Sequence, residues 1–214
     1  FMQMGGRYLE MGMLKTAKEK LKAAEKLDPD NAEVHNLLGV LYEGLKQFQQ
    51  ARQQYQLANQ LDFDNASIKN NYGRFLCERG ERQEGMSLLL AAIVMPLNNR
   101  KWFAYTNAGR CELREGDQAV AEQYFRKALQ INKNYAPALA EMQKISYRSG
   151  KSMSARAFLE RYLAVAEHSA ETLWYAVQTE RILGNKNLVE HYRETLFKLF
   201  PLSNEAKQLK TAIQ

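Results

Sequence analysis

A position tolerant of turn geometry recurs along this chain every 34 residues, at Gly12, Lys46 and Gly80, and after a slip of two residues at Gly116, Gly150 and Gly184. A period of this length restricts the chain to stacked copies of one short supersecondary unit, because a single copy cannot bury its own apolar face. Two further series keep the same phase. Gly5, Gly39, Gly73 and Gly109 fall seven residues before the turn, and Ala17, Ala51, Gly85, Ala121 and Ala155 fall five residues after it. Small residues at fixed phase let two helix backbones approach closely while larger apolar neighbours fill the space beside them.

Each unit therefore holds two helices. In the second unit Leu38, Gly39 and Tyr42 form the apolar stripe of the first helix, and Ala51, Tyr55 and Ala58 form that of the second. The turn between them calls for a residue that accepts positive φ, hence the glycines. Asp28-Pro29 and Phe200-Pro201 end second helices, because proline cannot continue the ladder and restrains the residue before it. With 45% hydrophobic residues, 4 prolines and no alternating strand pattern, the composition fits an all-helical chain better than an α/β enzyme. No segment approaches the roughly 20 apolar residues of a membrane span.

The period, the Leu-Gly-x-x-Tyr of residues 38–42, the turn glycine and the terminal proline together resemble the tetratricopeptide repeat. That resemblance implies an all-α fold, a right-handed α-superhelix of six helix-turn-helix repeats. The units are 1–31, 32–65, 66–101, 102–135, 136–169 and 170–203, in one domain spanning 1–214. The pattern thins in the last units, where Gln143 and Val177 replace the small residue of the first helix and Tyr162 and Leu196 replace the later alanine. Residues 203–214 open on a serine cap and are expected to form a solvating end helix.

First helices of such repeats line the inner face. Their groove positions collect Arg74, Arg110, Arg114, Lys144, Arg148 and Arg181, interleaved with Asn36, Asn70, Thr106, Tyr147 and Trp174. A basic groove studded with aromatic rings suits an extended or helical peptide carrying acids, whereas the plainer alternative is a solvated face of ordinary surface charges. The net charge of +6, from 30 basic against 24 acidic residues, contains no polybasic block, which argues against nucleic acid as a partner.

Little points to catalysis. His35, His168 and His191 are far apart in sequence and lack metal-ligand spacing, so no metal or other cofactor is expected. "MGGRYLEMG" at 4–12 has no preceding strand and no phosphate-loop lysine, and reads as close helix packing. No nucleophile elbow is present, and the acids are expected on outer helix faces. The chain reads as a binding module, not an enzyme.

Cys77 and Cys111, 34 residues apart, occupy first helices of adjacent units at nearly the same height. They could bridge if their Cα atoms lie about 4.4–6.8 Å apart, or could be two small buried hydrophobes. A bridge would require an oxidising compartment.

"NNYGRFLCERG" at 70–80 resembles the third-repeat signature of the type IV pilus biogenesis and stability lipoproteins, the PilF/PilW pilotin family. "TNAGRCELREGDQAVAEQYFRKAL" at 106–129 is similar to its fourth repeat, and "ARAFLERYL" at 155–163 and "FPLSNEAKQL" at 200–209 to its fifth and sixth. The resemblance implies a monomeric periplasmic protein held to the outer membrane by an N-terminal lipid on a cysteine preceding Phe1. It also implies a partner, the secretin, whose localisation or multimerisation the protein assists in pilus assembly and twitching motility. The competing reading is a general cytosolic or periplasmic scaffold or co-chaperone. Of the positions a carboxylate clamp would use, Asn36, Val40, Asn71, Phe103 and Asn107, only Asn71 fits that pattern.

Overall fold

The computed structural model describes residues 1–211, so the last three residues of the expected end helix lie outside the described residues. Its described residues form helices joined by short turns, in two compact units, Phe1–Cys111 and Glu112–Gln214.

Unit 1 holds α1 (Met2–Glu10), α2 (Leu14–Leu27), α3 (Ala32–Gly44), α4 (Phe48–Leu61), α5 (Ala66–Glu78), α6 (Arg82–Val94) and the first part of α7 (Lys101–Glu115). The helices pair as the repeat phase requires, α1 with α2, α3 with α4 and α5 with α6. The apolar stripes read from the sequence are buried: Leu38, Ala51, Tyr55 and Ala58 are fully enclosed and Tyr42 nearly so. Tyr55, Tyr72 and Phe75 form an aromatic cluster with ring centroids 5.5–6.5 Å apart. The small residues sit where backbones meet. A Cβ on Gly39 would lie 2.6 Å from the Tyr55 ring, and one on Gly73 would lie 2.7 Å from the carbonyl oxygen of Gly85.

Asn31 and Asn65 start α3 and α5 by accepting from the amides of Val34 and of Ser67 and Ile68. Each also donates to an aspartate at the end of the preceding helix, Asp28 or Asp62, at 2.9 Å. Residues 95–100 join α6 to α7, whereas residues 28–31, 62–65 and 132–135 make the equivalent connections, so this link is two residues longer. Here lies the slip in the period. Asn98 folds the longer link by donating to the carbonyl of Ala92 at 2.7 Å and accepting from the amide of Arg100 at 2.9 Å.

Unit 2 holds the remainder of α7, then α8 (Gln118–Ile131), α9 (Ala136–Arg148), α10 (Ser152–Leu163), α11 (Ala170–Ile182), α12 (Lys186–Leu199) and α13 (Asn204–Thr211). Ala121, Phe125, Leu139, Met142 and Ala155 are fully enclosed, and Ser169 with Thr172 closes a capping box at the start of α11. The large residues that break the small-residue pattern are absorbed: Gln143 is buried and donates to the Thr172 carbonyl at 3.1 Å, and Val177 and Leu196 join the core. Ser203 caps α13, which buries Ala206 and Leu209 against Leu173, Val177 and Leu196.

The six turn positions read from the sequence all have positive φ, and at five of them the residue is glycine. Lys46 holds φ 59° with a side chain and is exposed. A left-handed backbone disfavours a non-glycine residue by roughly 1–2 kcal/mol. Lys46→Gly is therefore expected to stabilise the protein, by about 0.5–1 kcal/mol once the added freedom of the unfolded chain is set against that relief. A rise in the urea midpoint at unchanged slope is the expected result.

The acids expected on outer faces include Glu112, Glu141 and Glu180, which are buried. Glu180 receives both arms of the Arg156 guanidinium, so burial is balanced by an opposite charge across helices α10 and α11.

Candidate partner-binding site

In unit 1 the shared face of α3, α5 and α7 carries a row of side-chain amides. Asn107 donates to Asn70 Oδ1 at 2.9 Å, Asn70 to Asn71 Oδ1 at 3.3 Å, and Asn71 to Asn36 Oδ1 at 3.0 Å. Asn36 then donates to the Glu33 carboxylate at 3.3 and 3.4 Å. The row runs head to tail and ends on a group that only accepts. Burial pushes the Glu33 carboxyl up from its ordinary value, the Asn36 bonds oppose that, and the charge of Asp62 adds to it. Because each amide has two N–H donors and an oxygen with two lone pairs, a half-buried amide fixed through one of each keeps one of each to offer outward. Asn70 and Asn71 are half-buried and line a cavity of about 480 Å³, whereas Asn36 is enclosed.

The cavity lies between the end of α4, the start of α5, the long link and the first turn of α7. Asp62, Asp64, Asn70, Asn71, Met95, Leu97, Arg100 and Phe103 are among its lining residues. The two-residue slip thus provides one wall.

Several residues expected in the groove are occupied elsewhere or covered. Arg74 binds Glu43 and, at 2.9 Å, Glu78, while Glu43 also accepts from the Tyr55 hydroxyl at 3.0 Å. Burial, the largest single influence, would lower the Arg74 pKa, but the attractions of Glu43, Tyr55 and Glu78 together outweigh it and raise the value. This arginine ties three helices together rather than waiting for a ligand. Thr106 and Asn36 are each 1% exposed, so neither reaches a partner directly. Asn36 instead anchors the row. Arg110 and Arg114 are exposed.

Cys77 on α5 and Cys111 on α7 are joined in a disulfide with Cα atoms 5.4 Å apart, and both are nearly enclosed. It links two of the three helices that carry the amide row.

The predicted residues of unit 2 gather as a separate cluster. Lys144 pairs with Glu141 at 3.2 Å and Glu171 at 2.7 Å, and these carboxylates outweigh burial and raise its pKa. Tyr147 packs edge-on against Trp174 and Tyr175, with Arg148 over the Tyr175 ring. Arg181 is exposed. Lys144 and Tyr147 are thereby committed to internal contacts.

His168 also lies in unit 2, edge-on to Tyr192, with its Nδ1 enclosed and without a hydrogen-bond partner. Burial, with a smaller contribution from His191, holds its pKa below the ordinary 6.5. The unfolded chain therefore binds this proton more readily than the folded chain. Stability is expected to be undiminished above about pH 6.5 and to fall as pH drops through that value toward the lower folded one. Urea melts at pH 7.5 and 5.5 measure the difference, which should shrink in His168→Gln.

Among the described residues no three His, Cys, Asp or Glu side chains are placed to hold a metal ion, and no helix is long and apolar enough to cross a membrane.

A tetratricopeptide repeat model matches residues 32–65 and 104–135, and a second TPR repeat model matches 5–46. Together with the all-helical paired architecture, this decides the fold. The chain has the tetratricopeptide-repeat fold. It is 27% identical to the type IV pilus assembly protein PilF of Pseudomonas aeruginosa over 210 residues, 98% of this chain and 83% of that one. The solved PilF structure superposes with a TM-score of 0.83 at 27% identity, covering 99% of this chain and 95% of the chain in that structure. PilW, described as a widely conserved type IV pilus biogenesis factor, gives 0.82 at 26% identity over 97% and 95%. The PilF/PilW resemblance read from the repeat signatures is borne out at both levels. A structure of the Cut9-Hcn1 hetero-tetramer, 13% identical over 91% of this repeat protein and 38% of the matched chain, gives 0.79 and speaks for the fold alone.

Proposed function

We propose that this repeat protein is a non-enzymatic component of type IV pilus biogenesis. It acts on the periplasmic side of the outer membrane, held there by a lipid upstream of Phe1. It binds a segment of the secretin through the amide-lined face of unit 1 and so assists localisation or multimerisation of that ring. The observation carrying the reading is similarity to PilF along 98% of the chain, matched by a TM-score of 0.83. Two features of the molecule support it. The amide row fixes hydrogen-bonding groups toward a cavity on that face. The enclosed disulfide suits an oxidising compartment and disfavours a cytosolic scaffold.

Affinity capture with the tagged full-length protein from a detergent extract of outer membranes tests the partner. Secretin should be recovered with the wild type and strongly reduced with Asn70→Arg, which fills the cavity. Recovery of cytosolic chaperones without secretin would overturn the reading.

A further inference from the structure

The sequence led to the expectation of a basic groove for an acidic ligand, but the cavity in unit 1 has the opposite balance. Asp62 and Asp64 line it, and Glu33 lies close enough to Asp62 for the two charges to oppose each other. Among the lining residues the two aspartates stand against a single cation, Arg100. The first amides of α5 are capped by Asn65, and the guanidinium of Arg100 lies over the Phe103 ring, 5.8 Å from its centroid. Lys69, which lies in the field of Asp64, is turned onto the Phe63 ring at 3.6 Å and is 2% exposed, so its charge is withdrawn from the cavity mouth. In a protein of net charge +6, a cavity with these acids on one wall is a local reversal of sign.

The α6–α7 link and the start of α7 add apolar residues, Met95, Leu97, Phe103 and Ala104, beside Asn98, Asn99 and Arg100. Leu97 is 96% exposed, the largest value among the exposed large hydrophobic residues, and the longer α6–α7 link holds it there. A leucine this exposed adds nothing to the core. Asn70 and Asn71 line the same cavity and are oriented by the amide row. Amides with one donor and one acceptor to spare match the backbone of an extended polypeptide, which presents both along its edge.

In an inference that rests on reading this chain as a protein-binding module, we propose that the cavity receives an extended polypeptide segment bearing a lysine or arginine side chain. The cationic head enters beside Asp62 and Asp64, the segment's backbone lies along Asn70 and Asn71, and a neighbouring apolar side chain covers Leu97. Complementary charge selects the segment, while the amides and Leu97 hold it.

The probe is a set of capped, fluorescently labelled nonapeptide pools, random except for a central Lys, Glu or Leu, titrated against the purified protein by anisotropy. The Lys pool should bind most tightly. Its affinity should fall about tenfold in Asp62→Asn/Asp64→Asn, several-fold in Leu97→Ser, and steeply with added salt, with circular dichroism unchanged in each variant. Tighter binding of the Glu pool, or a Lys preference that survives the double aspartate substitution, would overturn the assignment. So would failure of every pool to bind, or a concentration-dependent dimer blocked by Leu97→Ser, which would make a second copy the occupant. Secretin capture is a separate readout: peptide binding lost with secretin still recovered removes this site alone, whereas secretin lost from the wild-type capture removes the pilus reading.

Discussion

Gly85→Leu is expected to lower the stability of unit 1 by about 3 kcal/mol or more, at or beyond the upper end of ordinary overpacking. Even a Cβ at this position would lie 2.7 Å from the Cys77 sulfur, 2.7 Å from the Gly73 carbonyl oxygen and 2.9 Å from the Cys77 amide nitrogen. Two of those three atoms are backbone, which cannot swing aside as a side chain can. Helices α5 and α6 must separate, and Leu89 and Leu76, both fully enclosed, lose their contacts with them. The 2 tryptophans allow a local reading, since Trp102 lies in unit 1 and Trp174 in unit 2. In a Trp174→Phe background, the urea transition followed by Trp102 fluorescence should move sharply to lower urea. At Gly39, on the first helix of its pair, the contact is with the Tyr55 ring, so Gly39→Leu should also destabilise, by on the order of 1–3 kcal/mol.

Removing the disulfide should have a comparable effect. Cys77 and Cys111 are separated by 34 residues. In the chain-entropy account, opening a loop of that length releases about 3–4 kcal/mol of constraint on the unfolded chain. Cys77→Ala/Cys111→Ala should therefore melt at lower urea than the oxidised wild type. Reductant should bring the wild type close to the variant and leave the variant where it was. Alkylation and intact mass of unreduced protein should find no free thiol. Two alkylated cysteines in protein from the periplasm would remove the bridge and its share of stability together.

The fold was legible because its determinants are local and repeated. A turn residue every 34 positions, small residues seven before and five after it, and prolines at Pro29 and Pro201 specify helix pairs without any long-range information. The site was legible only in part. The place of Asn70 on the inner side of a first helix was legible, because phase alone puts it there. Arg74 and Lys144 were assigned to the groove for the same reason, yet phase does not reveal that Glu43 and Glu171 stand within ion-pair reach. Whether a charge faces solvent or a neighbour depends on side-chain direction across units, which a one-dimensional pattern does not contain. Asp62 and Asp64 were overlooked because they belong to a connection, not to a helix face. A signal for them existed: the two-residue slip fell at residues 95–100, where a longer link opens space beside them.

The central claim is that function resides on the amide-lined face of unit 1. Counting surface pili in a deletion strain carrying Asn70→Arg tests it most directly, with Gln53→Arg, an exposed change on α4, as control. Both proteins should accumulate to wild-type levels with wild-type helicity. The control should restore pili and Asn70→Arg should restore few or none. Full restoration by folded Asn70→Arg would contradict the claim, and would place the partner on another surface of the protein.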